Sequence, residues 1–314
     1  MPEGKTMHKL VLRGLDAANP LGFLAALGSL RVLTLAADDR PPQLAWLKQD
    51  GAWRPCLFVA PSLTVEQWSQ SLGDACRQVK SDAVLALGDD LNVSPETYRA
   101  YSRAAADSAG RGDLTHAGFA ACFASEALTT ESGAVQDTAL RTMSGAGHQH
   151  FLKTMRNLIA ETNAVQLQKA LFSPWRYDDP VRNMTLRWDP EDDSRYALRW
   201  SDPSGDPDRQ RSGAMWGANR LAIEGLPLLP VMPTARQLET TGFRTAGSRG
   251  TFWTWPIWET PIALDTARSL LALNELQSEV PDRVSLQKRG VTEIFRSQRL
   301  TVGKFRNFTW GVPA

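Results

Sequence analysis

Two textures divide this chain, and the change between them constrains the fold most. Through the first 130 residues apolar positions recur mainly at helical spacing. After Phe172 come eight of the eleven tryptophans: Trp175, Trp188, Trp200, Trp216, Trp253, Trp255, Trp258 and Trp310. They alternate with Arg, Asp-Pro and Gly. Helical periodicity followed by strand-like alternation implies an α+β fold, with a helix-rich N-terminal lobe and a sheet-rich, Trp/Arg-rich C-terminal lobe. The lobes are expected at 1–174 and at 175–314, the second mostly β with a C-terminal helix and a basic tail. Both belong to one compact unit. At 314 residues the chain is long enough to bury a real core.

The first helix is the best marked. In GLDAANPLGFLAALGSLRVL, Asp16 and Asn19 form a turn and Pro20 suits a first helical turn. Leu21, Leu24, Leu27, Val32 and Leu35 keep helical spacing. Gly22, Ala25, Ala26 and Ser29 give the helix a small-residue face that admits a close neighbour. Short strands are expected at Val11–Leu12, Leu44–Leu47 and Leu57–Ala60. Ser62 or Thr64 caps a helix to about Lys80, Ser94 with Pro95 and Glu96 starts another, and 114–128 reads as a further helix. Later, Thr251–Trp258 and Val291–Leu300 read as strands and Asp265–Leu276 as a helix. Leu186-Arg187-Trp188-Asp189-Pro190 and Leu198-Arg199-Trp200-Ser201-Asp202-Pro203 nearly repeat across a turn and read as a β-hairpin. Its apolar side would carry Met184, Leu186 and Trp188. Its other side would carry Arg187, Arg195 and Arg199. Most of the tryptophans are expected in the core.

Several function classes find no support. No apolar run is long enough for a bilayer, since Leu21–Ala37 is broken by Gly28, Ser29 and Arg31. The N-terminus lacks a signal-peptide core, so no membrane partner and a cytoplasmic location are expected. Cys56, Cys76 and Cys122 are far apart and odd in number, which fits buried reduced thiols better than a disulfide frame or zinc site.

Charge is uneven. Residues 1–138 carry 12 Lys/Arg against 16 Asp/Glu, and residues 139–314 carry 23 against 18. The last 34 residues hold seven basic and two acidic side chains. A basic end can hold phosphates. Arg296 and Arg299, three apart, cannot share a strand face. Lys304 and Arg306 alternate with Phe305.

The stretch SGAGHQHF joins two histidines to small residues ahead of a helix. His148 and His150 at i, i+2 point apart on a helix, and no cofactor or metal is expected there. Acid–base use with Asp137 is imaginable. The residue types fit two other readings equally. One is a glycine-rich helix start whose histidines cap and pack. The other is an anion cradle built from Ser144, Gly145, Gly147 and the helix N–H groups, flanked by Arg141, Lys153 and Arg156. The Gly-Lys-Ser/Thr ending of a Walker A loop is missing.

Taken together, GLDAANPLGFLAALGSLRVL, TALRTMSGAGHQHFLKTM, LFSPWRYDDP, GANRLAIEGLPLLP, TWPIW and RSQRLTVGKFRNFT resemble a family from type I-G (earlier I-U) CRISPR loci, the helicase-nuclease-extension family. The resemblance spans nearly the whole chain. It implies a large or accessory subunit of a Cascade-like effector complex, without catalytic activity. The partners it implies are other effector subunits, guide RNA, target DNA and the CRISPR helicase-nuclease. In such complexes base pairing reads sequence while protein holds backbones and displaced strands. The expected contacts are Arg141, the Ser144–His150 loop, Lys153, Arg156, Arg187, Arg195, Arg199, Arg296, Arg299, Lys304 and Arg306. The alternatives are a histidine-dependent nuclease or hydrolase, and a purely architectural protein-binding subunit.

Overall fold

A computed structural model describes residues 7–37, 40–60, 62–78, 84–143, 150–180, 184–192, 213–302 and 305–314. Helices dominate the first half and strands the second, an α+β fold.

The first helix, α1 (Pro20–Leu35), starts where its cap signal lies. Asn19 Oδ1 accepts from the Leu21 and Gly22 N–H groups at 2.9 and 3.3 Å, satisfying donors that a helix start leaves orphaned. Nearly all of α1 is buried. Its small face meets a helix of the second half, Trp216–Gly225. There a Cβ on Gly28 would fall 1.7 Å from the Leu221 carbonyl oxygen, so only glycine permits the crossing. A buried ion triad locks the same crossing. Glu224 accepts from Arg31 and from Arg220, each at 2.6 Å. Arg220 also donates to the Cys76 carbonyl at 2.9 Å.

Two antiparallel sheets flank these helices. The first orders β1 (His8–Val11), β3 (Ala52–Val59) and β2 (Gln43–Gln49), with β3 central. After it come α2 (Val65–Gln78), α3 (Pro95–Gly110), α4 (Leu114–Phe123), α5 (Phe151–Glu161) and α6 (Ala164–Phe172). We number Trp216–Gly225 as α7. A short hairpin pairs β4 (Ala124–Thr129) with β5 (Val135–Asp137), and another pairs β6 (Val231–Pro233) with β7 (Leu238–Thr240). The larger sheet contains β8 (Phe243–Thr245), β9 (Thr251–Ile257), β10 (Glu293–Val302) and β11 (Phe305–Phe308) in the order β11-β10-β9-β8, and β12 (Val312–Pro313) pairs with β10. Helices α8 (Leu264–Leu271) and α9 (Arg283–Lys288) lie between β9 and β10 in sequence.

The two halves interlock. Leu44 of β2 bridges Ile262, and Trp46 donates its N–H to the Trp258 carbonyl at 2.8 Å. Trp46, Trp188, Trp253, Trp255 and Trp258 are fully buried, as expected of core tryptophans. Phe23 of α1 stacks on Trp46 and touches Trp253 and Trp255, so one aromatic cluster joins both sheets.

Three expectations need correction. The helix over 114–128 stops at Phe123 and the chain continues as β4. The Tyr98 hydroxyl intervenes, accepting from Ala124 N–H at 3.0 Å and donating to the Ala120 carbonyl at 2.6 Å. It therefore replaces the i→i−4 bond that would extend the helix. The helix over 265–276 breaks into α8 and a separate 3₁₀ turn at Asn274–Gln277. The first arm of the Trp/Arg hairpin is not a strand. Leu186 donates its N–H to Asn219 and accepts from the Thr142 hydroxyl, and Arg187 turns left-handed at φ 56. Side chains thus satisfy the backbone that a partner strand would otherwise pair. The second arm, with Arg195 and Arg199, lies outside the described residues.

Candidate nucleic-acid interface

Arginine is the residue type expected to meet phosphate, and here each one can be sorted by what its donors already hold. Arg141 follows β5 and is 3% exposed. It forms ion pairs with Asp90 at 2.9 Å and with Asp137, and donates to Asn92 Oδ1 at 3.0 Å and the Met143 carbonyl at 2.7 Å. Two carboxylates neutralise it, and its Nε and Nη1 donors are spent on the fold. Arg156 of α5 is held by Asp89 and by the carbonyls of Leu85 and Gly88. Arg296 of β10 donates to the carbonyls of Ser278 and Glu279 at 2.6 and 2.7 Å and to the Thr254 hydroxyl at 3.0 Å. It ties the 3₁₀ turn to the large sheet. Arg187 is 7% exposed and has its own interaction.

The start of α5 is also occupied. Leu152 and Lys153 donate their N–H groups to the Asp89 carbonyl at 3.1 and 3.2 Å. His150 takes the cap position without a side-chain cap bond, and its Nδ1 lies 3.3 Å from Asp90 Oδ2. The chain's own Gly88–Asp90 turn therefore fills the helix end where an anion cradle was expected. His150 faces Asp90 rather than Asp137, which Arg141 holds. The Lys153 side chain points to solvent. Ser144, Gly145, Gly147, His148 and Lys304 lie outside the described residues. Among the described residues no group of three or more His, Cys, Asp or Glu side chains could hold a metal ion.

Two cations remain. Arg299 and Arg306 belong to the paired strands β10 and β11, where Arg299 lies opposite Phe308 and Thr301 opposite Arg306. Alternation places Arg299, Thr301, Arg306 and Phe308 on one face, with Arg296 on the other. Arg299 donates to the Arg141 carbonyl at 3.0 Å. Among the described residues it has no carboxylate within ion-pair distance, and its Nε is buried without a partner. Burial, helped by repulsion from Arg306, pushes its guanidinium down to about 10. It therefore stays charged at neutral pH. Asp137 acts on it from a distance but is already paired with Arg141. A desolvated cation without a counter-ion is costly, and an arriving anion relieves that cost.

In the sequence Arg299 and Arg306 stand among many basic residues with nothing to rank them. Asp89 and Asp90, which engage Arg156 and Arg141, are functional neighbours that local pattern does not reveal. The acidic run Gly88-Asp89-Asp90 was the only signal for them.

The fold and this face define an α+β protein with a basic strand pair that has no counter-ion among the described residues. No protein family, curated protein or solved structure matches the chain.

Proposed function

We propose that this chain is a non-catalytic subunit of a type I CRISPR effector complex and that it holds the phosphate backbone of guide RNA or target DNA. Membership in the complex rests on the sequence resemblance. The contact rests on one observation, the half-buried Arg299 guanidinium, beside Arg306 and with no carboxylate partner among the described residues. Phosphate oxygens suit such a group, because arginine presents several donors in a rigid fork and keeps its charge when desolvated. Backbone contacts of this kind position a strand and carry no sequence information. That is the role left to protein where base pairing reads the target.

The test is binding of single- and double-stranded DNA and RNA by the purified protein, alone and with its partner subunits, at two salt concentrations. Affinity should fall as salt rises. It should also fall in an Arg299→Met/Arg306→Ala double variant. Assembly with partner subunits and no salt-dependent nucleic-acid contact would replace this reading with the architectural one.

A further inference from the structure

Strand β8 ends the larger sheet. Thr254 donates its N–H to the Gly242 carbonyl at 2.9 Å, and Ala246 donates to the Gly250 carbonyl at 2.9 Å. Between them, Phe243 lies opposite Trp253, Arg244 opposite Phe252 and Thr245 opposite Thr251. Bonded and non-bonded pairs alternate along an antiparallel ladder. Arg244 is thus in a bonded pair, and the N–H and C=O groups of Phe243 and Thr245 turn outward. The 3.2 Å contact between the Thr245 and Thr251 hydroxyls fits the closer, non-bonded pair. No backbone partner for these outward groups occurs among the described residues.

The free edge borders a cleft of about 470 Å³. Strand β7 forms another wall, and Leu271–Gln277 closes the far side. In that wall the Gln277 side-chain amide is buried with neither its nitrogen nor its oxygen bonded. Arg244 lines the cleft and makes no ion pair among the described residues. Its neighbour Glu279 is taken by Arg249, and Arg296 adds a second positive charge nearby.

Exposed strand edges are normally covered, charged or twisted away, because they pair readily with another chain. This edge is short and recessed, and a partner that pairs with it must be extended. We infer that the cleft receives an extended, acidic segment of a partner protein as an added strand on β8. Its backbone bonds to Phe243 and Thr245, and a carboxylate of the segment meets Arg244. Strand addition of this kind takes affinity from main-chain bonds and specificity from side-chain contacts. The surface is separate from Arg299, since β8 and β10 are divided by β9, and the inference does not depend on the nucleic-acid reading.

The experiment uses the full chain and a fluorescein-labelled heptapeptide, Thr-Val-Thr-Glu-Val-Thr-Val, beside the same peptide with Lys in place of Glu. The Glu peptide should bind saturably and the Lys peptide about tenfold more weakly, since a like charge then faces Arg244. Binding should slow amide exchange at Phe243 and Thr245. Thr245→Pro should weaken the Glu peptide by at least about tenfold, because proline removes an outward donor that the β9 ladder does not use. Arg244→Glu, which leaves the backbone untouched, should reverse the preference between the two peptides. No saturation of either peptide up to about 1 mM, a range that spans weak complexes, would overturn the inference. So would equal binding by native protein and both variants. A single-stranded oligonucleotide that alone binds the cleft, and loses affinity with Thr245→Pro, would assign the edge to nucleic acid instead.

Discussion

Glu224 is fully buried and accepts one short hydrogen bond from each of two arginines that are almost as buried. Its removal leaves two desolvated cations close together, with only the Cys76 carbonyl and the Phe119 ring among the described residues to meet them. Glu224→Ala is therefore expected to cost about 3–5 kcal/mol, the range for breaking a buried pair from one side. Urea unfolding measures it. A loss below about 1 kcal/mol would mean that the triad is solvated. The cysteines give a second check on single residues. Burial pushes the Cys56 and Cys76 thiols up to about 11 and Cys122 higher still. Folded thiols raised in this way contribute stability below their ordinary value of 9.0, and that contribution is lost as pH rises towards about 11. A thiol reagent at pH 8 should thus label native protein far more slowly than protein in guanidinium, where all three sites react. The melting temperature should fall between pH 9 and 11.

At the scale of elements, the passage from α4 to β4 turns on one hydroxyl. Tyr98→Phe leaves Ala124 N–H and the Ala120 carbonyl without their shared partner, and should cost about 1–3 kcal/mol. Hydrogen exchange at Ala124 should speed up markedly, whereas an unchanged rate would mean the helix end is held otherwise. Gly28→Ala should be worse, since its Cβ meets backbone at 1.7 Å and α1 and α7 must separate to admit it. Much of this architecture is legible in the sequence. The Asn19-Pro20 start, the small face of α1, the Ser94-Pro95 start and the burial of most tryptophans all follow from local pattern. What the sequence hides are the partners. Arg31 and Glu224 are 193 positions apart, and nothing near either one names the other. Arg156 looks available in sequence because its carboxylate, Asp89, lies far upstream, and Arg141 because only Asp137 is near it while its second carboxylate, Asp90, is also far upstream. The Tyr98 hydroxyl is likewise invisible to helix periodicity. The Trp/Arg hairpin misleads for the same reason, since Asn219 and Thr142 do the bonding that alternation assigned to a second strand.

At the scale of the molecule, four of the seven described basic side chains that the sequence offers to nucleic acid, Arg141, Arg156, Arg187 and Arg296, are engaged within the fold. Arg141, Arg156 and Arg296 each bridge segments distant in sequence, so their removal should loosen the structure whether or not a nucleic acid is bound. Arg299 differs. It costs the isolated fold desolvation and returns one hydrogen bond. A residue that binds phosphate and a residue that holds the fold should therefore respond oppositely to removal. The most direct measurement compares native protein with Arg299→Met in two respects, the thermal midpoint and the dependence of nucleic-acid affinity on salt. If Arg299 meets phosphate, the variant has a midpoint equal to or above that of the native protein, weaker binding, and a log–log salt slope smaller by about 1, the signature of one lost phosphate contact. A lowered midpoint with unchanged affinity and slope would contradict it and make Arg299 one more structural arginine.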